Sequence, residues 1–410
     1  MAWFILDWSC GGKAVSLKRR SLSCSLAVFS LAILLSGRAS AQAPAAARTQ
    51  ARKLPNVTKA AIPAAEFSRI VGLFSEEEGS FFSDNFVSNE TGYLHVVPKL
   101  KQLKVTGGAY IGVGPAQNFT YSAKIRPQIA FIVDIRREAI IQHLMYKAIF
   151  QMAANRMQFL SLLFSKPLDG KDAPAPDASI DQMVDYFSTA PTRDKAYAEN
   201  LAAIRKTIEK DFEIPLSAND LQLLQRVYGS FKEGNLTISF RFAGARGPYG
   251  YGGFPLLKDL LLATDLDGNV GNFLASDEDF NFVRDLQRKN RIIPVVGDFA
   301  GKKALAVVGD YLKENGYTVS AYYTSNVEEF LFGDEVFNAF VENVKRLPVD
   351  ERSVFIRAMR TSSNHPAHIP GHRMTTVLQK IQVFLNDYDM GLLPDYRSLV
   401  GTDFIAGNQP

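Results

Sequence analysis

Short continuous apolar runs alternate with amphipathic stretches in the last third of the chain. The apolar runs predict strands that are buried on both faces, and the amphipathic stretches predict helices between them. In chain order, the predicted elements are the strand Ile292–Val296, the helix Lys303–Asn315, the strand Thr318–Tyr323, the helix Val327–Leu347, the strand Ser353–Ala358 and the helix Thr375–Tyr388. This alternation is typical of an α/β protein with a doubly wound, mostly parallel sheet of the Rossmann type.

An earlier segment, residues 107–136, predicts a strand, a glycine turn, a helix and a second strand in that order. Its length is that of one βαβ unit. Gly112 and Gly114 can adopt backbone conformations that bring the chain close to a ligand. Asp134 follows the apolar run Ile129–Val133 and therefore lies at the carboxyl end of a strand. A carboxylate at this place can accept hydrogen bonds from both hydroxyls of a ribose. The unit predicts a nucleoside-binding site.

The pattern Gly112-x-Gly114-x-Ala116 resembles the glycine loop of S-adenosylmethionine (SAM)-dependent methyltransferases. A dinucleotide-binding loop would have Gly or Ala where this chain has Gln117. The superfamily usually has an acidic residue two positions before the first glycine, and this chain has Tyr110 there.

The resemblance implies a methyltransferase-like Rossmann fold and SAM as the cofactor. It also implies that the glycine loop faces the methionine part of SAM and that Asp134 holds the ribose. Asp298 and Phe299 follow the predicted strand Ile292–Val296, where the superfamily often places an acidic residue beside the adenine.

The chain as a whole is also similar to an uncharacterised family of exported bacterial proteins, in residues 88–95, 108–136 and 319–327. That resemblance implies export and a fold, and it implies no activity.

The N-terminus has the order of a secretory signal peptide. Basic residues 18–20 precede the apolar run 22–35, and small residues follow at 39–41. We therefore expect residues 1–41 to be removed and the mature protein to be periplasmic or secreted. The alternative is an uncleaved membrane anchor, although a run of 14 residues is short for a span.

The remaining chain divides by composition into a linker and one domain. Residues 42–63 are rich in Ala, Pro, Arg and Gln and predict a flexible linker. Residues 64–410 predict one Rossmann-like domain with a helical insertion at 165–232 and no transmembrane segment.

Charge and cysteine content narrow the possible partners. The chain has 46 basic and 42 acidic residues, and residues 1–41 hold five and one of these, which leaves 41 of each. A neutral domain argues against nucleic acid as a partner, which needs a net basic face. Cys10 and Cys24 both lie in the predicted signal peptide, so the domain has no cysteine for thiol catalysis or metal binding.

Two polar pairs near predicted strands are further candidates for the ligand cleft. Ser325 and Asn326 follow the predicted strand Thr318–Tyr323, and they could line the crevice or begin the next helix. Asn89 and Glu90 precede the first strand, and they could close over a ligand or form turns.

His365, His368 and His372 lie close together in the sequence. Three neutral imidazoles can hold zinc with an open position for catalysis. Two prolines and a glycine in the same segment favour a loop, so these histidines are weak candidates for a metal site.

These observations support three hypotheses. The leading one is an exported protein that transfers a methyl group from SAM. The second is a non-enzymatic envelope protein that binds a small-molecule ligand or a partner. The third is a metal-dependent hydrolase that uses the histidine cluster. The sequence leaves the substrate and the oligomeric state open.

Overall fold

The structure is a computed structural model that describes residues 60–241, 254–360, 365–372 and 374–408. The predicted signal peptide lies outside the described residues, as does the predicted linker up to residue 59. The linker's last residues are bonded to the domain, since Arg291 donates to the Ala60 carbonyl at 2.8 Å and Asn290 donates to the Ile62 carbonyl at 2.7 Å. Residues 60 and 62 are thus held next to the start of β3.

A mostly parallel sheet forms the centre of the described chain. Its strands are β1 (Ala109–Gly112), β2 (Ile129–Asp134), β3 (Ile292–Val296), β4 (Val319–Ser325), β5 (Val354–Met359), β6 (Thr375–Lys380) and β7 (Ile405–Ala406). The seven strands have the order β3-β2-β1-β4-β5-β6-β7. β1 to β5 are parallel, and β6 is antiparallel to both β5 and β7. The expected α/β class with a mostly parallel sheet is confirmed.

Helices connect the strands. They are α1 (Ala64–Phe74), α2 (Val97–Gln102), α3 (Gln117–Ile125), α4 (Arg137–Met152), α5 (Arg156–Phe164), α6 (Ile180–Thr189), α7 (Asp194–Lys206), α8 (Ala218–Gly234), α9 (Leu257–Leu261), α10 (Asp277–Arg288), α11 (Ala304–Glu314), α12 (Asp334–Lys345), α13 (Ile381–Asp389) and α14 (Tyr396–Gly401). Short 3-10 helices lie at Asn235–Thr237 and Val327–Phe330, and a π-helix lies at Thr207–Asp211. Residues 165–232, the predicted insertion, contain α6, α7 and all but the last two residues of α8. No helix among the described residues is long and apolar enough to cross a membrane.

The apolar periodicity explains most of these elements. Every residue of β2 and β3 is buried, as expected of strands that are covered by helices on both faces. α6 begins at a capping box, in which Ser179 and Gln182 satisfy each other's backbone N–H groups. The predicted helix Thr375–Tyr388 is wrong in its first half, where the chain forms β6. The β-branched pair Thr375-Thr376 favours this strand, and only Ile381 onwards is helical.

One lysine of α4 is buried in the core without a counter-ion. In the described chain, no carboxylate lies within ion-pair distance of Lys147, whose ammonium donates to the Gln287 carbonyl. The Nζ atom also lies over the rings of Phe67 and Phe212, 4.6 and 4.9 Å from their centroids. Burial lowers the pKa of Lys147 to about 7.

Stability is therefore expected to rise with pH above neutrality. Between the folded pKa of about 7 and the usual value of 10.5, the unfolded chain binds more protons than the folded one. Lys147 should contribute a slope of about 1 kcal/mol per pH unit in the free energy of unfolding between pH 7.5 and 9. Urea unfolding at several pH values in this range should show that the free energy of unfolding of Lys147→Met rises less steeply with pH than that of wild type. The exposed Lys101→Met is the control, and an equal slope in all three proteins would contradict the expectation.

Candidate functional site

A cleft of about 840 Å³ opens at the carboxyl ends of the parallel strands. Residues that follow four of these strands line it, namely Gly114 after β1, Ile135 after β2, Asp298 after β3 and Asn326 after β4. β1 and β4 are neighbours whose connections run to opposite sides, so the strand order reverses between them. Ligands of open α/β sheets bind at such a reversal, and the volume is in the range of small-molecule sites.

Most of the residues that the sequence singled out lie together in this cleft. The predicted residues that line it are Asn89, Glu90, Gly114, Asp134, Asp298, Phe299, Ser325 and Asn326. Gly112 is not among the lining residues. Sequence reasoning thus located the cleft, although several of these side chains have roles other than the expected ones.

Gly112 is required by packing. A Cβ atom at this position would overlap the side-chain oxygen of Asn118 and would lie 2.7 Å from the Tyr110 hydroxyl. Gly114 differs, because it lines the cleft and has a φ of +75°, which glycine adopts without strain. The first glycine of the motif therefore makes room inside the domain, and the second forms the turn at the cleft.

Asn118 holds the glycine loop in place. Its amide lies 2.9, 3.0 and 2.7 Å from the carbonyl oxygens of Val113, Gly114 and Pro115, and its oxygen accepts from the Tyr110 hydroxyl at 2.9 Å. Tyr110 occupies the position where the methyltransferase pattern has an acid. In this chain Tyr110 instead supports the loop through its hydrogen bond to Asn118.

His143 on α4 fixes the same loop from the other side. Its Nε2 lies 2.8 Å from the Gly114 carbonyl oxygen, so this nitrogen carries the proton and donates. The ring is buried, and burial lowers the pKa of His143 to about 4. The imidazole is therefore neutral at physiological pH, which keeps its Nε2 proton on the loop.

Asp134 lies at the end of β2 as expected, but its carboxylate is bound to Arg136. The guanidinium donates to Oδ1 at 3.1 Å and to Oδ2 at 3.0 Å, and the Arg136 backbone N–H donates to Oδ1 at 3.0 Å. Arg136 also donates to the Asp84 carbonyl at 2.6 Å. Both residues are buried, so the pair joins the β2 end to the segment before β1. Arg136 therefore already pairs with the carboxylate that the sequence assigns to a ribose.

Asp298 and Phe299 form the edge of the cleft beyond β3. Asp298 accepts from the Ala300 N–H at 2.9 Å through Oδ1, and its own N–H donates to Glu76 at 2.6 Å. Its Oδ2 accepts no hydrogen bond within the described residues. Phe299 is buried against Tyr322, with ring centroids 5.1 Å apart. Asp298 therefore keeps one oxygen available to a ligand.

Glu90 is the most unusual side chain in the cleft wall. It is 1% exposed, and its Oε1 accepts from the Tyr323 hydroxyl at 2.7 Å and from the Ser325 hydroxyl. Ser325 has a left-handed φ of 54° at the end of β4. Burial raises the pKa of Glu90 to about 7. The sequence makes Glu90 a candidate for the cleft or for a turn, but it does not predict the burial of this side chain, because that burial depends on Tyr323 and Ser325, which are more than 230 positions away.

Aromatic rings lie at the mouth of the cleft. Phe82 and Phe330 are 48% and 47% exposed, and both contact Phe81 with ring centroids 4.2 and 5.3 Å away. Exposed aromatic rings beside a cleft give a planar or cationic ligand a surface to stack on. No periodic pattern in the sequence indicates this cluster, since its members come from two distant segments.

In the described segment 365–372, the side chains of His365 and His372 lie against different partners. Among the described residues, no three His, Cys, Asp or Glu side chains are placed to hold a metal ion. His372 packs against His95, with ring centroids 4.5 Å apart, and contacts Thr91, whereas His365 packs against Phe404. His372 and His365 thus pack against different residues from outside the segment, which sequence spacing could not reveal.

Comparison with known proteins identifies a family whose function is unknown. No curated protein matches the chain. The model of a family described as a domain of unknown function, DUF7790, matches residues 85–212 and 180–391, which contain the sheet up to β6 and most of the cleft. The chain belongs to the DUF7790 family.

Proposed function

We propose that the cleft binds a nucleoside-class small molecule, with SAM as the first candidate and methyl transfer as the reaction. The observation that carries the proposal is the position of the cleft, which extends from Gly114 at the reversal of strand order to Asp298 and Phe299 at the end of β3. Bound SAM would supply the activated methyl group. The chain would bind and orient it, and the aromatic mouth would exclude water from the site.

Within this proposal, the adenine lies toward Asp298 and Phe299. The free Oδ2 of Asp298 would accept a hydrogen bond from an exocyclic amino group, and the Phe299 ring would form an apolar contact. Asp134 would orient Arg136 and the loop around it, because the ion pair already occupies both carboxylate oxygens.

The ion pair also favours a second candidate function, that of a non-enzymatic protein that binds a small ligand in the cleft. A carboxylate that is paired with Arg136 accepts weaker hydrogen bonds from the hydroxyls of a ribose than a free carboxylate would. Such a protein would use the same cleft, with the same aromatic mouth, and it would release its ligand unchanged.

Calorimetric titration with SAM, S-adenosylhomocysteine and adenosine tests the proposal. We expect wild type to bind at least the first two, and Asp298→Asn to bind each about ten-fold more weakly, since a charge-assisted hydrogen bond is lost. The control is Asp310→Asn, an exposed carboxylate on α11. Absence of binding by wild type at millimolar concentration would refute the nucleoside proposal, and methyl transfer with it.

Export remains a separate proposal that rests on residues 1–41. We expect N-terminal sequencing of the mature protein to begin near Gln42, because the small residues at 39–41 suit signal peptidase. Recovery of the intact segment on protein in the cytoplasmic fraction would contradict it.

A further inference from the structure

Among the described residues, only one of the two oxygens of the Glu90 carboxyl has hydrogen-bond partners. Its Oε1 accepts two hydrogen bonds, from Tyr323 and Ser325, whereas its Oε2 is buried and has no hydrogen-bond partner among the described residues. Buried polar atoms in folded proteins are almost always paired, because an unpaired one loses its hydration without compensation. Since Glu90 lines the cleft, a ligand is the natural source of the missing partner.

The described groups that face Glu90 carry no positive charge. They are the hydroxyls of Tyr110 of β1, Tyr121 of α3, Tyr323 and Ser325 of β4 and Tyr396 of α14. Burial, together with nearby carboxylates that include Glu90, raises the pKa of each tyrosine. No Lys, Arg or His in the described ranges forms an ion pair with Glu90. An ionised Glu90 is therefore without a counter-ion among the described residues.

The described lining as a whole is short of positive charge. Asp134 and Arg136 neutralise each other, which leaves Glu90, Asp298 and Glu329 against Arg360. Neither Asp298 nor Glu329 forms an ion pair within the described residues. A surplus of carboxylates inside a partly dry cleft favours a cation over an anion.

The aromatic mouth fits the same kind of ligand. Phe81, Phe82 and Phe330 present ring surface beside the cleft, and the negative face of an aromatic ring attracts ammonium and sulfonium groups.

We propose that the cleft recognises a positively charged sulfonium or ammonium group of its ligand through the Oε2 oxygen of Glu90. This inference rests on the proposed function, because it assigns the cationic group of the proposed ligand to Glu90 in the same cleft. SAM carries such a cation at its sulfonium centre, and S-adenosylhomocysteine has a neutral sulfur in its place. The two molecules otherwise share their titratable groups, so the ratio of their affinities isolates the cation.

The test is calorimetric titration of wild type, Glu90→Gln and the exposed Glu77→Gln with both molecules at pH 6 and pH 8. Glutamine retains the oxygen that accepts from Tyr323 and Ser325, so Glu90→Gln should fold, which its thermal melt verifies. We expect wild type and Glu77→Gln at pH 8 to prefer SAM by about ten-fold or more. Glu90→Gln should bind both equally.

The preference should also depend on pH in a defined direction. Because the pKa of Glu90 is about 7 in the free protein, the carboxyl is mostly ionised at pH 8 and mostly protonated at pH 6. The preference for SAM should therefore shrink by about ten-fold from pH 8 to pH 6 in wild type and stay constant in Glu90→Gln. Equal binding of both molecules by wild type at pH 8, or a preference that survives in Glu90→Gln, would overturn the inference while nucleoside binding stands.

A second probe pair keeps the inference testable if neither nucleoside binds. Choline and its neutral carbon isostere 3,3-dimethyl-1-butanol can be compared by saturation-transfer NMR on wild type and Glu90→Gln. We expect a choline signal in wild type that exceeds the alcohol signal and is lost in Glu90→Gln. That result would support cation recognition although the nucleoside proposal had failed. Equal or absent signals from both probes in wild type would overturn it.

Discussion

Glu328→Gln is expected to lower the free energy of unfolding by about 3–5 kcal/mol, because it leaves a buried guanidinium without its counter-ion. Glu328 and Arg357 are 0% and 1% exposed and join the segment after β4 to β5 at 2.8 Å. Glu328 also accepts from the Thr324 hydroxyl at 2.9 Å, and Arg357 lies over the rings of Phe355 and Phe384. The pair is thus enclosed on all sides, and water cannot replace the lost carboxylate.

Urea unfolding of Glu328→Gln and Glu329→Gln gives the comparison. Glu329 is the next residue on the same 3-10 helix and is exposed, so its neutral variant should change the free energy of unfolding by less than about 0.5 kcal/mol. A loss below about 1 kcal/mol for Glu328→Gln would show that the pair is far less important than its burial implies. The expected loss matters for the cleft, since this helix follows Ser325 and Asn326 directly.

Gly112→Ala is the second substitution with a large expected effect, a loss of about 3 kcal/mol in the free energy of unfolding. The new methyl group would overlap the Asn118 oxygen and press on the Tyr110 hydroxyl, and both atoms belong to the network that holds the glycine loop. The loop can relieve the overlap only by breaking those hydrogen bonds.

Two other glycines calibrate this measurement. Gly114→Ala has room for its methyl group, so it should lose about 1–2 kcal/mol, from its left-handed φ alone. Gly72→Ala, on the exposed face of α1 with nothing within 4 Å, should be neutral or stabilising. If Gly112→Ala were no more destabilising than Gly114→Ala, the packing role assigned to Gly112 would be wrong.

The sheet could be predicted from the sequence wherever burial made a run continuously apolar. The predicted strand Ile292–Val296 has the same first and last residues as β3. The glycines of residues 107–136 indicate the unit from β1 to β2. The failure at Thr375–Tyr388 has a physical cause, because β6 lies near the edge of the sheet and contains polar residues such as Gln379. Its pattern resembles the start of the helix that follows it.

The cleft could be located from the sequence, but its electrostatics could not. The βαβ unit predicts that Gly114 and Asp134 lie at the ligand site, and the resemblance to methyltransferases implies the same for Asp298. Whether Asp134 is free depends on the rotamer of Arg136, and whether Glu90 is paired depends on β4. Such contacts are set by three-dimensional packing and leave no periodic trace in the chain.

A crystal structure of the protein grown with millimolar S-adenosylhomocysteine tests the central claim most directly. The account predicts electron density for the nucleoside in the cleft at the carboxyl ends of β1 and β4, with the base beside Asp298 and Phe299 and the backbone of Gly114 in contact with the ligand. An empty cleft with Glu90, Asp298 and Phe299 unchanged, or density for the ligand at another surface, would contradict it.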